Sequence, residues 1–333
     1  MMIISRTPFR ISFFGGGTDY PAWFEAHGGA VLATTIDKYC YISCRYLPPF
    51  FQHRSRIVWS RIELVNDAEE IQHPAVREVV RSLGIDSGIE IHHDGDLPAR
   101  SGIGSSSSFT VGLLHALYAL KGVMPGKARL AREAIHVEQA RLYESVGVQD
   151  QIVVAHGGLQ RLDIRRDGEY DLSPLILPPE RLQALQDHLM LFFSGVSRTA
   201  SDIAAAQVQA IPRKQPELTE MQRMVDTATS ILAGSDDLTD FGRLLHEAWL
   251  IKRSLTEKIS TPEIDAIYKI ARKAGAIGGK LLGAGGGGFV LFFVAPDRQA
   301  LVRDALRDLL YVPFRFDTGG SQIIYYDPQV ASG

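Results

Sequence analysis

The chain has 333 residues, 45% of them hydrophobic and 22% charged, an ordinary globular balance that leaves room for two packed domains. Its 35 basic and 38 acidic side chains give a formal net charge of -3, which disfavours a polyanionic partner and predicts no nucleic-acid binding. Two cysteines, Cys40 and Cys44, are too few for a disulfide framework and lack the further ligands a metal pair needs, so they read as buried small hydrophobes in a reducing, cytoplasmic setting.

The N-terminal stretch is interrupted by Arg6, Pro8 and Arg10 before a signal-peptide core or membrane span is complete, so a soluble chain with no membrane partner is expected. Residues 3–14 alternate as a strand and end in Gly15-Gly16-Gly17, followed by Thr18, Asp19 and Tyr20. Three glycines at a strand end serve either a tight turn, with Asp19 as a cap, or close contact with a ligand. A longer strand covers 30–46 and another Ile57–Val65; Val76, Val79, Val80 and Leu83 then mark an amphipathic helix that stops near Gly84.

The organising stretch is DGDLPARSGIGSSSS, residues 94–108. The alternating run Ile89-Glu90-Ile91 precedes it, and Phe109, Leu113, Leu117 and Leu120 follow at helical spacing, giving strand, loop, helix. Gly102 and Gly104 open the backbone to a ligand, the serines supply hydroxyls and a helix start, and the helix N-terminus attracts anions. The loop therefore predicts a phosphate site, although it carries neither the G-K-[ST] of a P-loop nor the G-x-G-x-x-G of a dinucleotide site; a serine-rich surface turn is the bland alternative.

A helix from about Ala128 to Tyr143 places Glu138 on its apolar face with Ala131, Ala134, Ile135 and Leu142. A carboxylate there needs compensation, either from a bound cation such as Mg²⁺ or from an arginine such as Arg141. Asp150 stands at the start of the next apolar segment, as a helix cap or as the second carboxylate that phosphoryl transfer requires. Pro174, Pro178 and Pro179 mark a boundary, dividing the chain into 1–180 and 181–333.

The second half opens with the strand Leu189–Phe193 and the turn Ser194 to Arg198, followed by helices at roughly 199–211, 217–233 and 238–258. Another helix is capped by Thr261, has Pro262 in its first turn and ends near Gly275. Gly278 to Gly288, GGKLLGAGGGG, then leads into the strand Phe289–Val294. Four consecutive glycines cost chain entropy and pack nothing, which points to a ligand lying against bare backbone. A helix at about 297–310 and closing strands at 312–317 and 321–327 complete an expected α+β second domain.

Three motifs in order, PFRISFFGGGTDY, LPARSGIGSSSS and KLLGAGGGGFVLF, resemble the GHMP kinase superfamily over nearly the whole chain. The resemblance implies an α+β, two-domain fold: an N-terminal mixed sheet and helix domain, a C-terminal ferredoxin-like domain, and an active site between them. It also implies ATP, Mg²⁺ and a small sugar or sugar-phosphate substrate. It assigns Pro98, Gly102, Gly104, Ser105, Ser106 and Ser107 to ATP, and Ser106 (with Ser105 as alternative) and Glu138 to Mg²⁺. Asp150 becomes the carboxylate at the acceptor hydroxyl, Arg10 the cation at the reacting centre, and Gly16, Gly17, Asp19, Gly285 and Gly286 substrate contacts. Gly16-Gly17 replaces the Glu-His pair of galactokinase-like members. The chain looks most like the branch that phosphorylates the anomeric hydroxyl of heptose 7-phosphates, with the fucokinase-like branch as rival. A phosphorylated sugar needs a second anion site, for which Arg198, Lys252 and Arg253 are candidates, the last two reading rather as solvated surface charge.

Overall fold

The computed structural model describes residues 2–195, 200–235 and 237–327. The first half contributes strands β1 (Met2–Phe14), β2 (Gly29–Tyr46), β3 (Ser55–Val58), β4 (Ile62–Val65), β5 (Ile89–Gly95), β6 (Leu159–Ile164) and β7 (Tyr170–Pro174). Its helices are α1 (Pro21–His27), α2 (Pro74–Ser82), α3 (Ser105–Leu120), α4 (Lys127–Ile135), α5 (Gln149–His156) and α6 (Pro179–Asp187). The single strand expected over 57–65 is a hairpin, because the chain turns between Val58 and Ile62 and pairs back on itself.

Helix α3 lies against β1 and β2 and is apolar almost all round, as a helix sunk in a core must be. Ser5 Oγ donates to the Gly112 carbonyl at 2.8 Å, and a Cβ at Gly112 would fall 2.9 Å from Thr7 Oγ1, so this glycine lets helix and strand approach closely. Cys40 and Cys44 are free, buried in the same core, and burial pushes the Cys44 thiol up to about 12.

The second half runs β8 (Leu189–Phe193), α7 (Ala200–Ala210), α8 (Gln215–Ala233), α9 (Thr239–Ser254), α10 (Pro262–Ala274), β9 (Ala276–Leu281), β10 (Phe289–Val294), α11 (Gln299–Ala305) and β11 (Leu310–Val312). These strands form an antiparallel sheet in the order β11-β8-β10-β9, the ferredoxin-like β-α-β-β-α-β plan. Thr261 caps α10 by accepting the Ile264 N–H, as expected.

Two expectations change here. Gly278 and Gly279 belong to strand β9 and not to a loop; a Cβ on Gly278 would sit 1.9 Å from the Gly242 carbonyl, so the glycine exists to let α9 press on the sheet. The last strands, β12 (Phe316–Asp317) and β13 (Gln322–Asp327), do not complete the second sheet; they pair with β2 and β1 in the nine-stranded sheet of the first half. Long-range pairing of this kind leaves no local mark.

The halves share a core where β1 ends: Phe13 and Phe14 meet Phe241 of α9 edge to face, at centroid distances of 5.6 and 5.2 Å. The glycine turn after β1 is thereby set beside α9, β9 and β10. Among the described residues no helix is long and apolar enough to cross a membrane.

Candidate active site

The loop between β5 and α3 has the predicted form. Gly104, in the left-handed region at φ 74°, precedes α3, and the first helical hydrogen bond runs from Ser108 N–H to Gly104 O. The N–H groups of Ser105, Ser106 and Ser107 stand before that bond, at the positive end of the helix dipole. Ser101 Oγ donates to Pro98 O at 2.6 Å, and Arg100 N–H donates to Ser105 Oγ at 2.9 Å, so two serine hydroxyls shape the loop itself.

Arg10 reaches this loop from β1. Its Nε and Nη2 donate to the two oxygens of Asp150 at 2.7 and 2.6 Å, and Nη1 donates to Gly102 O at 2.7 Å. The guanidinium is buried, with 5% of its side chain exposed against 22% for Asp150, so the carboxylate keeps an open side. Gly104 admits this pair, since a Cβ there would touch Arg10 Cγ at 3.0 Å and lie 3.5 Å from Asp150 Oδ2.

The first turn of α5 organises three charged groups at once. Gln149 Nε2 donates to Asp19 Oδ2 at 2.9 Å, Asp150 takes Arg10, and Gln151 Nε2 donates to Glu138 Oε2 at 2.5 Å. Successive residues on a helix point about 100° apart, so one turn reaches three directions. The sequence reading missed both glutamines; their signal was only that polar side chains flank Asp150 in an otherwise apolar segment.

Asp19 is buried and accepts the Gly17 N–H at 2.9 Å. Burial pushes its carboxyl up, with the Asp150 charge adding to the rise and the Gly17 and Gln149 hydrogen bonds opposing it. Gly147 must be a glycine, because a Cβ there would overlap Asp19 Oδ2 at 1.9 Å. Gly17, at φ 110°, supplies the turn that returns its N–H to Asp19. Gly16 lies over Ser12 Oγ and Gln149 Nε2, within 3.6 and 3.7 Å of where its Cβ would be.

Glu138 does not sit on a regular α-helix: α4 stops at Ile135 and a π-helical turn covers His136–Arg141. Such turns are frequent at functional sites. This one carries the carboxylate inward to accept Ser107 Oγ at 3.0 Å and the Gln151 amide, while Oε1 is buried without a hydrogen-bond partner among the described residues. Burial pushes the carboxyl up to about 7, with the Glu144 charge adding to the rise and the Gln151 and Ser107 hydrogen bonds opposing it. A buried carboxylate oxygen with nothing to bind, beside a phosphate loop, fits Mg²⁺, which takes one or two carboxylates together with phosphate oxygens. The hydroxyl that meets Glu138 belongs to Ser107; Ser106, which the resemblance assigned to Mg²⁺ with Ser105 as alternative, is exposed.

The four-glycine run is a contact between the halves as much as an open surface. Just before it, a Cβ on Gly283 would fall 2.4 Å from Gly102 Cα, and at its end one on Gly288 would fall 2.2 Å from Ser101 O, both across the halves, whereas one on Gly285 would fall 2.7 Å from Ile259 O of the same half. Phe289 N–H donates to Ser101 O, which joins this run to the loop before α3, while Gly286 N–H donates to Ile259 O within the second half.

Lys252 is not the solvated surface charge expected of it: it is 5% exposed and donates to Gly283 O. Its spacing from Leu245, Ala248 and Trp249 placed it on the buried stripe of α9, a signal legible in the sequence. Arg253 is half-buried and pairs with Asp265 at 3.2 Å. Lys280, which the sequence reading passed over, is buried and donates to Ser12 O and Phe13 O at 2.8 Å each. Arg198 lies outside the described residues.

Known proteins share this construction. The family profile described as GHMP kinases N terminal domain matches residues 69–158, and GHMP kinases C terminal matches 228–312. The chain is 27% identical over 321 residues to a D-glycero-alpha-D-manno-heptose 7-phosphate kinase of Campylobacter jejuni, covering 92% of this chain and 93% of that one. It is also 27% identical to an L-fucokinase/L-fucose-1-P guanylyltransferase of Bacteroides fragilis, over 91% of this chain but only 35% of that longer protein. The solved structure of a D-glycero-D-manno-heptose 1-phosphate kinase from Bacteriodes thetaiotaomicron superposes with a TM-score of 0.78 over 98% of this chain and 100% of that one, at 22% identity. A glycine-serine loop at a helix N-terminus, a buried carboxylate beside it and both halves of the family profile agree: the chain belongs to the GHMP kinases and is an ATP-dependent phosphotransferase that works with Mg²⁺.

Proposed function

We propose that this kinase transfers the γ-phosphoryl group of ATP to the anomeric hydroxyl of a sugar phosphate, and that the sugar is D-glycero-D-manno-heptose 7-phosphate. The observation that carries the chemistry is the Arg10–Asp150 pair, bound to the phosphate loop at Gly102 and open on the Asp150 side. The substrate follows from the end-to-end likeness to the Campylobacter jejuni heptose 7-phosphate kinase.

In this reading Pro98 and Gly102 to Ser107 shape the seat of the ATP phosphates, and the N–H groups of Gly102 to Ser107 hold the phosphate oxygens. Glu138 through Oε1, with Ser107 or Ser106 beside it, would hold Mg²⁺, which when bound neutralises phosphate charge. Asp150 orients the sugar hydroxyl. Each of its oxygens accepts one N–H from Arg10 and keeps lone-pair capacity for the hydroxyl proton. The sugar oxygen forms its bond to phosphorus as the bond to ADP breaks, and the proton passes to Asp150. Arg10, fixed by three hydrogen bonds, offsets negative charge at the centre without reorganising. Asp19 accepts hydrogen bonds from the sugar, whose pocket includes Gly16, Gly17, Gly285 and Gly286.

A second reading, a fucokinase-like kinase of an unphosphorylated sugar, is favoured by the 27% identity to the fucokinase of Bacteroides fragilis. The test incubates the protein with ATP, Mg²⁺ and, separately, heptose 7-phosphate, L-fucose, galactose or mevalonate, following ADP release and product mass. Phosphorylation of heptose 7-phosphate at the anomeric oxygen is expected. Turnover of fucose alone moves the substrate to the second reading, and no turnover of any acceptor overturns both.

A further inference from the structure

Lys252 is a cation with no obvious structural purpose. It lies on the inner stripe of α9, and its one hydrogen bond among the described residues goes to the Gly283 main-chain oxygen. A main-chain carbonyl compensates an ammonium far less than a carboxylate does, and a buried charge without a counter-ion lowers stability. A methionine would fill the same space at no such cost.

What Lys252 touches explains its place there. Gly283 stands back to back with Gly102: a Cβ on Gly102 would fall 2.5 Å from Leu282 O and 3.3 Å from Gly283 N. Gly102 O in turn accepts Arg10 Nη1, and Arg10 clamps Asp150. A short, packed chain of contacts thus runs from the ammonium to the proposed reacting centre. The charged groups around it are Arg10 on β1, Asp19 in the turn after β1, Asp150 on α5 and Lys280 on β9. Lys280 draws on the same region, joining β9 to β1 through Ser12 O and Phe13 O.

We infer that Lys252 is a positioning residue for phosphoryl transfer: by holding Gly283 against Gly102 it fixes the carbonyl that orients Arg10 on Asp150, and it keeps positive charge beneath the site. The inference rests on the roles proposed for Arg10 and Asp150. Burial, with repulsion from Arg10, pushes the Lys252 ammonium down to about 8, so its charge is lost as pH rises through that value.

The experiment compares wild type with Lys252→Met, Lys252→Arg and Asp150→Asn in steady-state kinetics, using heptose 7-phosphate or, failing it, L-fucose as acceptor, together with thermal melting. Small displacements of reacting groups cost about 100-fold in rate. Lys252→Met should therefore lose about that much kcat, with KM for both substrates within a few-fold and a melting midpoint equal to or above wild type. Wild-type kcat should fall above about pH 8, and Lys252→Arg, which recovers part of the rate, should carry its plateau to higher pH. A Lys252→Met enzyme with near-normal kcat, or one whose kcat loss comes with a lowered midpoint and no rescue by arginine, overturns the inference. Near-normal turnover in Asp150→Asn would instead show that the centre itself was misassigned.

Discussion

Asp150 and Glu138 are carboxylates of one site, both reached from the first turn of α5, yet they are built for different work. Asp150 meets a guanidinium with both oxygens and keeps an open side. Glu138 is sealed and, among the described residues, meets a hydroxyl and an amide and leaves Oε1 without a partner. The first arrangement would suit the substrate hydroxyl proposed for it; the second would suit the proposed cation. Residue type alone does not separate the two roles, and their partners do.

The largest expected effect breaks the open-sided carboxylate. Asp150→Asn keeps the shape but loses the proton acceptor, and turnover should fall by about 100- to 10,000-fold while ATP binding, measured by calorimetry, stays nearly intact. Near-normal turnover would sink the role given to Asp150. Breaking the sealed one acts on the metal: Glu138→Gln should raise the Mg²⁺ concentration for half-maximal rate by more than about 10-fold, with an unchanged or raised melting midpoint because a buried charge is gone. An unaltered Mg²⁺ dependence would place the metal elsewhere.

A smaller effect tests the frame that holds both. Gly288→Ala would put a methyl 2.2 Å from Ser101 O at φ 101°, so chemical denaturation should show a loss of about 1–3 kcal/mol, the usual cost of overpacking. Stability within error of wild type would mean that the two halves are not locked at Ser101.

Much of this was legible in the sequence where local pattern decides structure. Strand β1, the loop before α3, the Thr261 cap and the three glycine motifs each follow from a few adjacent residues. Position in space was less legible. Gly278 and Gly279 read as loop because nothing local reveals a helix pressing on a strand, and β12 and β13 join the first sheet through partners roughly the whole chain away. Lys252 was misread because its charge outweighed its place on the apolar stripe of α9, and Gln149 and Gln151 went unnoticed because amide side chains carry no motif. Each miss concerns what a residue touches, which spacing along the chain does not state.

The carboxyl of Glu138, pushed up to about 7 from 4.5, links the sealed site to pH. Without Mg²⁺ the folded chain binds this proton more tightly than the unfolded chain, so the stabilisation is fully present below about pH 4.5 and is lost as pH rises through about 7. Mg²⁺ competes with the same proton. Its addition should therefore raise the melting midpoint more at about pH 8 than at about pH 6, by a few degrees, and Glu138→Gln should remove the difference. An equal Mg²⁺ shift at both pH values would separate the metal from this carboxylate.

The smallest expected effect distinguishes two neighbouring hydroxyls. Ser107 Oγ donates to Glu138 Oε2 at 3.0 Å, whereas Ser106 is exposed and its carbonyl, not its hydroxyl, is used within the helix, by Thr110 Oγ1. If the hydroxyl that orients Glu138 matters, Ser107→Ala should weaken apparent Mg²⁺ affinity by about 10-fold, near the low end for a residue that orients a ligand. Ser106→Ala should change it less than about two-fold, as a solvated hydroxyl without a partner among the described residues has little to lose. The reverse order would show that the helix turns its first residues when ATP and Mg²⁺ bind, bringing Ser106 to the place Ser107 holds here, and the comparison between open and sealed carboxylates would then have to be drawn for the bound state.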